Sequence, residues 1–377
     1  MSAEHERASS RIDAFFAEER DAYLLGLLRA ALGLLLFLNT GRAILELTNG
    51  GYFGDFFHLP LWPESLVPTR ALYTALLGLE AGAAVLGFLG VWSRGALLTS
   101  ASIGLFLLGC DRLQYHNNRY ALLLLGFLLA FTPCDRSFLI AKRTLALPPA
   151  ERVAPTFARR LFQIQVSLVY LSSACGKLID ADWRGGQVLR LRFMSVAPFW
   201  AAKGLHLPAF VENCLASPWL GSAAAKVAIC TELWIALGLW FPRTRRAALW
   251  VGVMFHFWIE VSARVELFSY VMCASYLAFV RPELRERRVE YDPHDARAAR
   301  NAKTLAKLDW CARFEFRAVT SNAEDGAFRV VTRAGETRRG LAAFAALCEA
   351  IPLLFPLWLP CALVAKRERD RARLSSA

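Results

Sequence analysis

The chain has 377 residues, of which 56% are hydrophobic and 20% are charged, and its formal net charge is +12. Soluble domains average about half apolar and a quarter charged residues, and here the apolar excess is concentrated in long blocks. Lys and Arg lie between these blocks and in the C-terminal tail, as the positive-inside rule produces in membrane proteins. We therefore expect the lipid bilayer as a partner and no nucleic acid.

The N-terminus and the cysteines argue against a cleaved signal peptide and against a fold held by disulfides or a metal ion. Residues 1–21 are acidic and polar, have no apolar core, and do not resemble a cleaved signal peptide. The nine cysteines include no CxxC pair, so we expect neither a metal site nor a disulfide framework.

Eight apolar blocks follow, and a helix of about 20 apolar residues crosses a bilayer. They predict an all-α polytopic membrane helix bundle of about eight spans over residues 22–281. The blocks are Tyr23–Leu45, Leu72–Trp92, Ala96–Cys110, Tyr120–Pro133, Leu161–Leu178, Leu220–Phe241, Ala247–Val261 and Glu266–Val280.

The connections between the blocks predict the orientation. Basic residues crowd the connections 133–161 and 241–247, which places both of them, the N-terminus and the C-terminus on the cytoplasmic side. The connections 48–70 and 177–218 are too long for simple turns and are rich in aromatic residues. We expect them to lie in the interface or to fold back over the bundle, where long ordered loops often carry function.

The composition changes after the last block. Residues 282–304 are predicted to be a charged linker, and residues 305–377 a small α+β module. Within that module, FEFRAV and FRVVTRA alternate like two strands around a Glu-Asp-Gly turn. A helix is expected over Leu341–Ala350, and the proline-rich run that follows predicts a helix pair rather than a regular span.

Ionisable side chains inside the apolar blocks are candidates for function or for ion pairs between helices, because each costs about 2.5–3.5 kcal/mol at a helix centre. Lys226 and Glu232 are six positions apart and are not expected to pair with each other. His256 and Glu260 share one helix face. The candidates are Arg29, Glu80, Lys226, Glu232, His256 and Glu260.

Two polar segments flank the apolar blocks. The first is DRLQYHNNRY, which contains His116, Asn117 and Asn118. The second is SSACGKLIDADWRGG, in which small residues precede Lys177 and permit close helix packing. Lys177 either reaches towards the interface or, if buried, serves as a base.

The segment CGKLIDADWRGG resembles the Lys-Leu…Trp…Gly segment of the HTTM (horizontally transferred transmembrane) family, which includes vitamin K-dependent γ-carboxylases. YHNNRYALLLLGFLLAF and MFHFWIEVSARVELFSYVMCASYLAF resemble further segments of that family, over roughly residues 20–280. The resemblance implies a multi-pass protein of the bacterial inner membrane and a quinone or hydroquinone ligand. It implies catalytic roles for Lys177, as base or anion anchor, and for His116. The substrate-binding residues that it implies are Asn117, Asn118, Asp180, Asp182, Trp183 and His256.

The sequence departs from the carboxylases at two positions. Leu178 stands where they have the second of two lysines, and Asn118 stands where they have a histidine. We therefore expect an enzyme-like protein that acts on a lipid-soluble quinol, or alternatively a non-catalytic scaffold or transporter-like component. An active peptidyl-glutamate carboxylase is the third and least favoured reading. Convergence of Lys177 and His116 on one cavity would favour the first.

The tail resembles the later part of DCC-type thiol-disulfide oxidoreductases. Their DxxCxxC motif is missing before Leu305, and Cys311 stands alone. The resemblance therefore implies a degenerate thioredoxin-like module without dithiol chemistry.

Overall fold

A computed structural model describes residues 12–48, 51–54, 57–262, 265–319 and 328–375. The chain divides into two compact units, Met1–Val280 and Arg281–Ala377. The Glu-Asp-Gly turn predicted between two strands of the tail lies outside the described residues.

The first unit is predominantly helical, as its apolar blocks predict. In chain order its helices are α1 Tyr23–Thr48, α2 Arg70–Leu89, α3 Ser93–Leu108, α4 Asn117–Leu129, α5 Pro149–Arg152, α6 Phe157–Ile179, α7 Ala181–Gly185, α8 Gln187–Met194, α9 Val196–Ala201, α10 Ala209–Ala216, α11 Pro218–Gly238, α12 Arg245–Ser262 and α13 Phe268–Ser275.

Three of these helices, α1, α2 and α11, are long and apolar enough to cross a membrane within the described part of the chain. Helix α3 and residues Phe268–Ala278 are shorter apolar helices. The last predicted block is broken, because α13 ends at Ser275 and a 3₁₀ turn follows over Tyr276–Ala278. The structure thus contains membrane-capable helices, and the count of eight spans stays a prediction.

Two short strand pairs form in this unit, one between segments that are distant in sequence and one between neighbouring segments. The strands are β1 Glu19–Asp21, β2 Ser137–Leu139, β3 Thr144–Ala146 and β4 Val153–Pro155. Strand β1 pairs antiparallel with β4, and β2 with β3. An ion pair of 2.8 Å between Arg152 and Asp21 fastens the first of these pairs. The charged connection before α6 is therefore ordered against the residues that precede α1.

Leucine-rich faces of α1 and α4 form the core of the first unit together with other apolar residues of α6, α11 and α13. Arg29 is fully buried on α1 and donates to the carbonyl oxygens of Gly87, at 3.1 Å, Ser137, at 3.3 Å, and Phe138. A guanidinium can satisfy several carbonyls at once because it carries five donors in a fixed plane. Arg29, a candidate from sequence, is therefore a structural clamp between α2 and β2.

The long connection 177–218 folds into four short helices, α7 to α10, rather than a loop. Helix α8 packs on α11. Gly186, which immediately precedes α8, has a φ of +81°. A Cβ at Gly186 would lie 2.2 Å from the backbone nitrogen of Ser222, so only glycine allows this approach. The connection thereby packs on the beginning of α11.

The second unit contains a four-stranded sheet with the strand order β6-β5-β7-β8. Its strands are β5 Arg287–Tyr291, β6 Phe314–Ala318, β7 Phe328–Val331 and β8 Thr337–Arg338, and its helices are α14 Ala296–Leu308, α15 Gly340–Ala350 and α16 Trp358–Ser375. Strand β5 pairs parallel with β6 and antiparallel with β7. The proline-rich run forms a 3₁₀ helix, Pro352–Leu357, before α16.

The prediction of a charged linker over residues 282–304 is wrong, because these residues contain the central strand β5 and most of α14. The charged side chains of β5 hid its strand character in the sequence. The Arg287 side chain lies 3.3 Å from Glu349, and Glu290 lies 2.6 Å from Arg329. These pairs allow a charged sequence to sit inside a sheet.

Candidate functional site

Lys177 is held in an ion pair within the helical unit. It lies near the end of α6, and its Nζ is 2.6 Å from Oε1 and 2.7 Å from Oε2 of Glu232 on α11. It also donates to Ser173 Oγ, one turn earlier on α6, at 2.6 Å. Three acceptors therefore surround the three hydrogens that an ammonium group carries.

The pair is enclosed by the protein. The Lys177 side chain is 14% exposed and that of Glu232 is 7% exposed. Ser173 Oγ donates to Glu232 Oε1 at 3.0 Å, which ties all three groups together. Burial of an isolated charge is costly, and each member of this pair compensates the charge of the other. The pair forms because α6 and α11 pack along one another.

Asp180 and Trp183 complete the surroundings of Lys177. Asp180 Oδ1 accepts the backbone N–H groups of Asp182, at 2.8 Å, and Trp183, at 3.1 Å, and so caps α7. The cap turns the chain back towards α6, and Lys177 Nζ lies 5.0 Å from the centroid of the Trp183 ring. This distance allows a cation–π contact. Asp182 itself is exposed.

A second polar group lies on the same face of α6, two turns before Lys177. Tyr170 Oη is 2.6 Å from His256 Nε2 on α12 and 2.6 Å from Tyr276 Oη. All three side chains are buried, and His256 Nδ1 has no partner in the described part of the chain. Gly252 makes the space, because a Cβ there would lie 2.1 Å from Tyr276 Oη. His256 is thus bonded to Tyr170, which in turn is bonded to Tyr276, and no hydrogen bond between the described residues joins His256 to Glu260.

His116 and its neighbours, which the sequence predicted to share a site with Lys177, lie apart from the Lys177–Glu232 pair. His116 precedes α4 and is exposed, as is Asn117, and Asn118 Nδ2 lies 3.5 Å from the carbonyl oxygen of Val265. Over the residues that the structure describes, no hydrogen bond or ion pair joins His116 to Lys177. The structure brings together Lys177, Asp180 and Trp183, and leaves His116 and Asn117 outside that group.

Asp111, the first residue of the DRLQYHNNRY segment, holds the loop before α2 in place. His58 Nδ1 donates to Asp111 Oδ2 at 2.8 Å, and the N–H groups of Leu59 and Leu113 donate to Asp111 Oδ1. Burial alone would raise the pKa of Asp111, but these hydrogen bonds outweigh it and hold the pKa below its usual value. Asp111 is therefore a structural anion that joins the two connections.

Sequence reasoning proposed Glu232 as a candidate but did not identify its partner. Lys177 and Glu232 are 55 positions apart, and nothing in the spacing of either residue indicates the other. The serine at position 173 gave no signal beyond its small size. Lys226 on α11 is exposed, in agreement with the expectation that it does not pair with Glu232.

The second unit contains no paired active-site thiols of the CxxC type. Cys311 is 4% exposed, and burial raises the pKa of its thiol to about 11. Such a thiol is almost wholly protonated near neutral pH and is a poor nucleophile. Within the described residues, no cluster of three or more His, Cys, Asp or Glu side chains could hold a metal ion.

Comparison with known proteins identifies the helical unit. The chain matches no curated protein and no solved structure at a significant level. The family model described as the HTTM domain matches residues 17–284, which is more than half of the chain and covers α1 to α13. The protein therefore belongs to the HTTM domain family of transmembrane proteins.

Proposed function

We propose that the HTTM domain binds and deprotonates a lipid-soluble quinol, or a related molecule with an acidic hydroxyl group, at the Lys177–Glu232 pair. The observation that carries the proposal is a complete ion pair, enclosed by helices and adjoining an aromatic ring, inside an apolar bundle. Charged groups at such positions in membrane proteins mark functional sites by default.

Apolar side chains beside the pair support access from the bilayer. The exposed Leu178 and Ile179 on the same turn as Lys177 are apolar. A ligand carried in the lipid therefore fits the site better than one carried in water.

The contacts divide the chemical roles. The amino group of Lys177 donates to Ser173 and to both oxygens of Glu232, so we assign it the role of anion anchor rather than of base. The Glu232 carboxylate accepts the hydroxyl proton of the quinol, and the O–H bond breaks as the O–H bond of the carboxylic acid forms. The quinolate oxygen takes the place of the carboxylate beside Lys177. Trp183 offers a ring face for the quinol.

Two further features of the proposal concern the membrane. We place the protein in the inner membrane of a bacterium with about eight spans and with both termini on the cytoplasmic side. Arg152, Arg159, Arg160 and Arg245 support this orientation, because they fall in or beside the connections before α6 and before α12. Helices α3 and α4 are short and would need their flanking residues to complete a crossing.

A non-catalytic role is the second candidate. The observation in its favour is that Lys177 has an acceptor for each of its three hydrogens, as expected of a purely structural ion pair. In that case the pair holds α6 against α11, and the protein acts as a scaffold or transporter-like component. Peptidyl-glutamate carboxylation has the least support, because Leu178 carries no base and is 43% exposed.

The second unit is proposed to be a degenerate DCC-type module that takes no part in dithiol exchange. The buried Cys311, with its raised pKa, supports this proposal.

Mass spectrometry of co-purified lipids tests the proposed function. The full chain is purified from a quinone-containing host in parallel with Lys177→Met, Glu232→Gln and Lys226→Met, the last as a control for an exposed lysine of α11. We expect a quinone in the wild type and in Lys226→Met, and its loss from the two site variants. Equal retention in all four proteins would refute the proposal, as would its absence from all.

A further variant separates loss of binding from loss of folding. Lys177→Arg keeps the positive charge beside Glu232 but replaces a compact ammonium group with a planar guanidinium. We expect it to elute as a single species and to retain less quinone than the wild type. Full retention by Lys177→Arg together with loss in a misfolded Lys177→Met would favour the scaffold.

A further inference from the structure

The second unit carries a concentrated group of exposed apolar side chains. Among its described residues, six large apolar side chains are more than a third exposed, and four of these lie between positions 353 and 364. They are Leu353 at 61%, Leu357 at 48%, Leu363 at 54% and Val364 at 46% exposed. Single apolar side chains are ordinary on a protein surface, but a group of them marks a surface that binds a partner or a membrane.

The core of the second unit uses only one side of this apolar run. Ile351 is fully buried in the core beneath the sheet, and Leu354 packs against that core. Ala365 on α16 is 3% exposed. The side chains that alternate with these residues point away from the core, although they are just as apolar. The run therefore has a second apolar side that the unit itself does not cover.

The exposed face of α16 changes from apolar to basic along the helix. Arg367 follows Leu363 by four residues and Val364 by three, and Arg371 follows Arg367 by four, so the four exposed side chains share one face. Basic residues also outnumber acidic ones over positions 366–371. The apolar surface is thus continued by a positively charged one.

The apolar run is too short and too rich in proline to cross a bilayer. It covers fifteen residues, 351–365, and includes Pro352, Pro356 and Pro360. A spanning helix needs about 20 apolar residues, and proline interrupts helical hydrogen bonding. An apolar segment that cannot span, with basic residues beside it, is suited to lie in the interface, with its apolar side among acyl chains and its cations among headgroups.

A short link keeps the second unit close to the membrane. The helical unit, which belongs to a transmembrane family, ends at Val280, and β5 begins at Arg287. The six residues between them reach at most about 25 Å when they are fully extended. The bilayer that holds the helical unit is therefore present at a high effective concentration, and a modest attraction suffices for docking.

We propose that the second unit docks on the bilayer surface through an apolar patch, defined as Leu353, Leu357, Leu363 and Val364. Arg367 and Arg371 then lie at anionic lipid headgroups. The charge of the adjoining face selects this partner, since anionic headgroups complement it, whereas a second copy of the chain would bring the same cations against it. The docking is independent of the quinol site at Lys177 and Glu232.

Lipid photo-crosslinking tests this docking. The full-length chain is reconstituted in nanodiscs, one copy per disc, in phosphatidylcholine with or without phosphatidylglycerol. Each disc also contains a lipid that carries a diazirine on its acyl chain close to the headgroup. Adducts are mapped by mass spectrometry, and α2 and α11, two membrane-capable helices, serve as the internal standard.

We expect adducts on residues 353–364 in both kinds of disc, and more of them with phosphatidylglycerol. Adducts on the standard helices but none on residues 353–364 would overturn the proposal. Loss of the adducts in discs that hold two copies would assign the patch to a second copy of the chain and would also overturn it.

Paired variants separate the apolar and the electrostatic contributions. Leu363→Asp/Val364→Asp places two charges in the patch, and Arg367→Gln/Arg371→Gln removes two cations. Ala306→Asp, at an exposed position of α14, is the matched control. We expect the first variant to lose the adducts on residues 353–364. The second should label with phosphatidylglycerol only as much as without it, and the control should match the wild type.

The variants also define the results that would contradict the docking. Wild-type labelling of Leu363→Asp/Val364→Asp would overturn the apolar contact. Unchanged dependence on phosphatidylglycerol in Arg367→Gln/Arg371→Gln would overturn the role of the cations. Both conclusions hold whatever the Lys177 variants do to quinone retention.

Discussion

The Lys177–Glu232 pair predicts a specific pattern of stability changes. Lys177→Met removes one charge and leaves the Glu232 carboxylate, 7% exposed, without its cation. Removing one member of a buried pair typically costs about 3–5 kcal/mol, because the remaining charge is buried and uncompensated. We expect Lys177→Met and Glu232→Leu each to destabilise the protein by about this amount.

The double variant Lys177→Met/Glu232→Leu distinguishes pairing from packing. With both charges gone, no uncompensated ion remains, and apolar replacements of a buried pair are often neutral or stabilising. We expect it to be more stable than either single variant, with a coupling free energy of about 2 kcal/mol or more.

The assay is thermal unfolding of the detergent-purified chain, followed by intrinsic tryptophan fluorescence at constant detergent and protein concentration. Lys226→Met serves as the matched control, because Lys226 is exposed on α11. Additive losses in the double variant would refute the pairing. Single variants as stable as the control would show that the two charges do not depend on one another.

Three further predictions concern other parts of the chain. Arg29→Lys should destabilise the protein by about 3 kcal/mol in thermal unfolding, because an ammonium cannot replace the planar contacts to three carbonyls; stability equal to wild type would contradict the clamp. Gly252→Ala should lower the melting temperature, since its Cβ would lie 2.1 Å from Tyr276 Oη, and an unchanged value would contradict the tyrosine–histidine packing. Because burial raises the pKa of Cys311 to about 11, iodoacetamide should modify it far more slowly in the native protein at pH 8 than in the unfolded chain, and faster as the pH rises. Peptide mass spectrometry measures that rate, and equal rates in the native and unfolded chains would contradict it.

The helical character of the first unit was predictable because apolar blocks of this length have few alternatives. Leu45 and Leu72 mark the edges of runs that become α1 and α2. The internal structure of 177–218 was not predictable, because α7 to α10 are short and depend on packing against α11. The capping of α7 by Asp180 became visible only with the backbone in place.

Strand β5 shows why local sequence patterns did not predict the secondary structure of the tail. Arg287, Arg288 and Glu290 predict a solvated linker when they are taken alone. Glu349 and Arg329, the partners that make a strand possible, lie 62 and 39 positions further along the chain. Strands of the second unit that carry aromatic residues, β6 and β7, were predictable, because their own side chains supply the apolar contacts.

The polar residues of the site were predictable singly but not as a group. Lys177 and Glu232 stood out because charges are rare inside apolar helices. Their pairing, and the separate position of His116, follow from how the helices pack. The resemblance to the HTTM family implied that Lys177 is a base or an anion anchor, and our proposal keeps it as the anion anchor and assigns the role of proton acceptor to Glu232.

Photo-crosslinking with a ubiquinone analogue that carries a diazirine on its ring tests the central claim most directly. The full-length protein in nanodiscs is irradiated with the analogue, and the crosslinked peptides are mapped by mass spectrometry. We predict adducts on residues 173–183 and 229–234, removed by excess unlabelled quinone and reduced in Glu232→Gln. Adducts confined to other segments, or adducts that unlabelled quinone does not remove, would contradict a quinol site at Lys177 and Glu232.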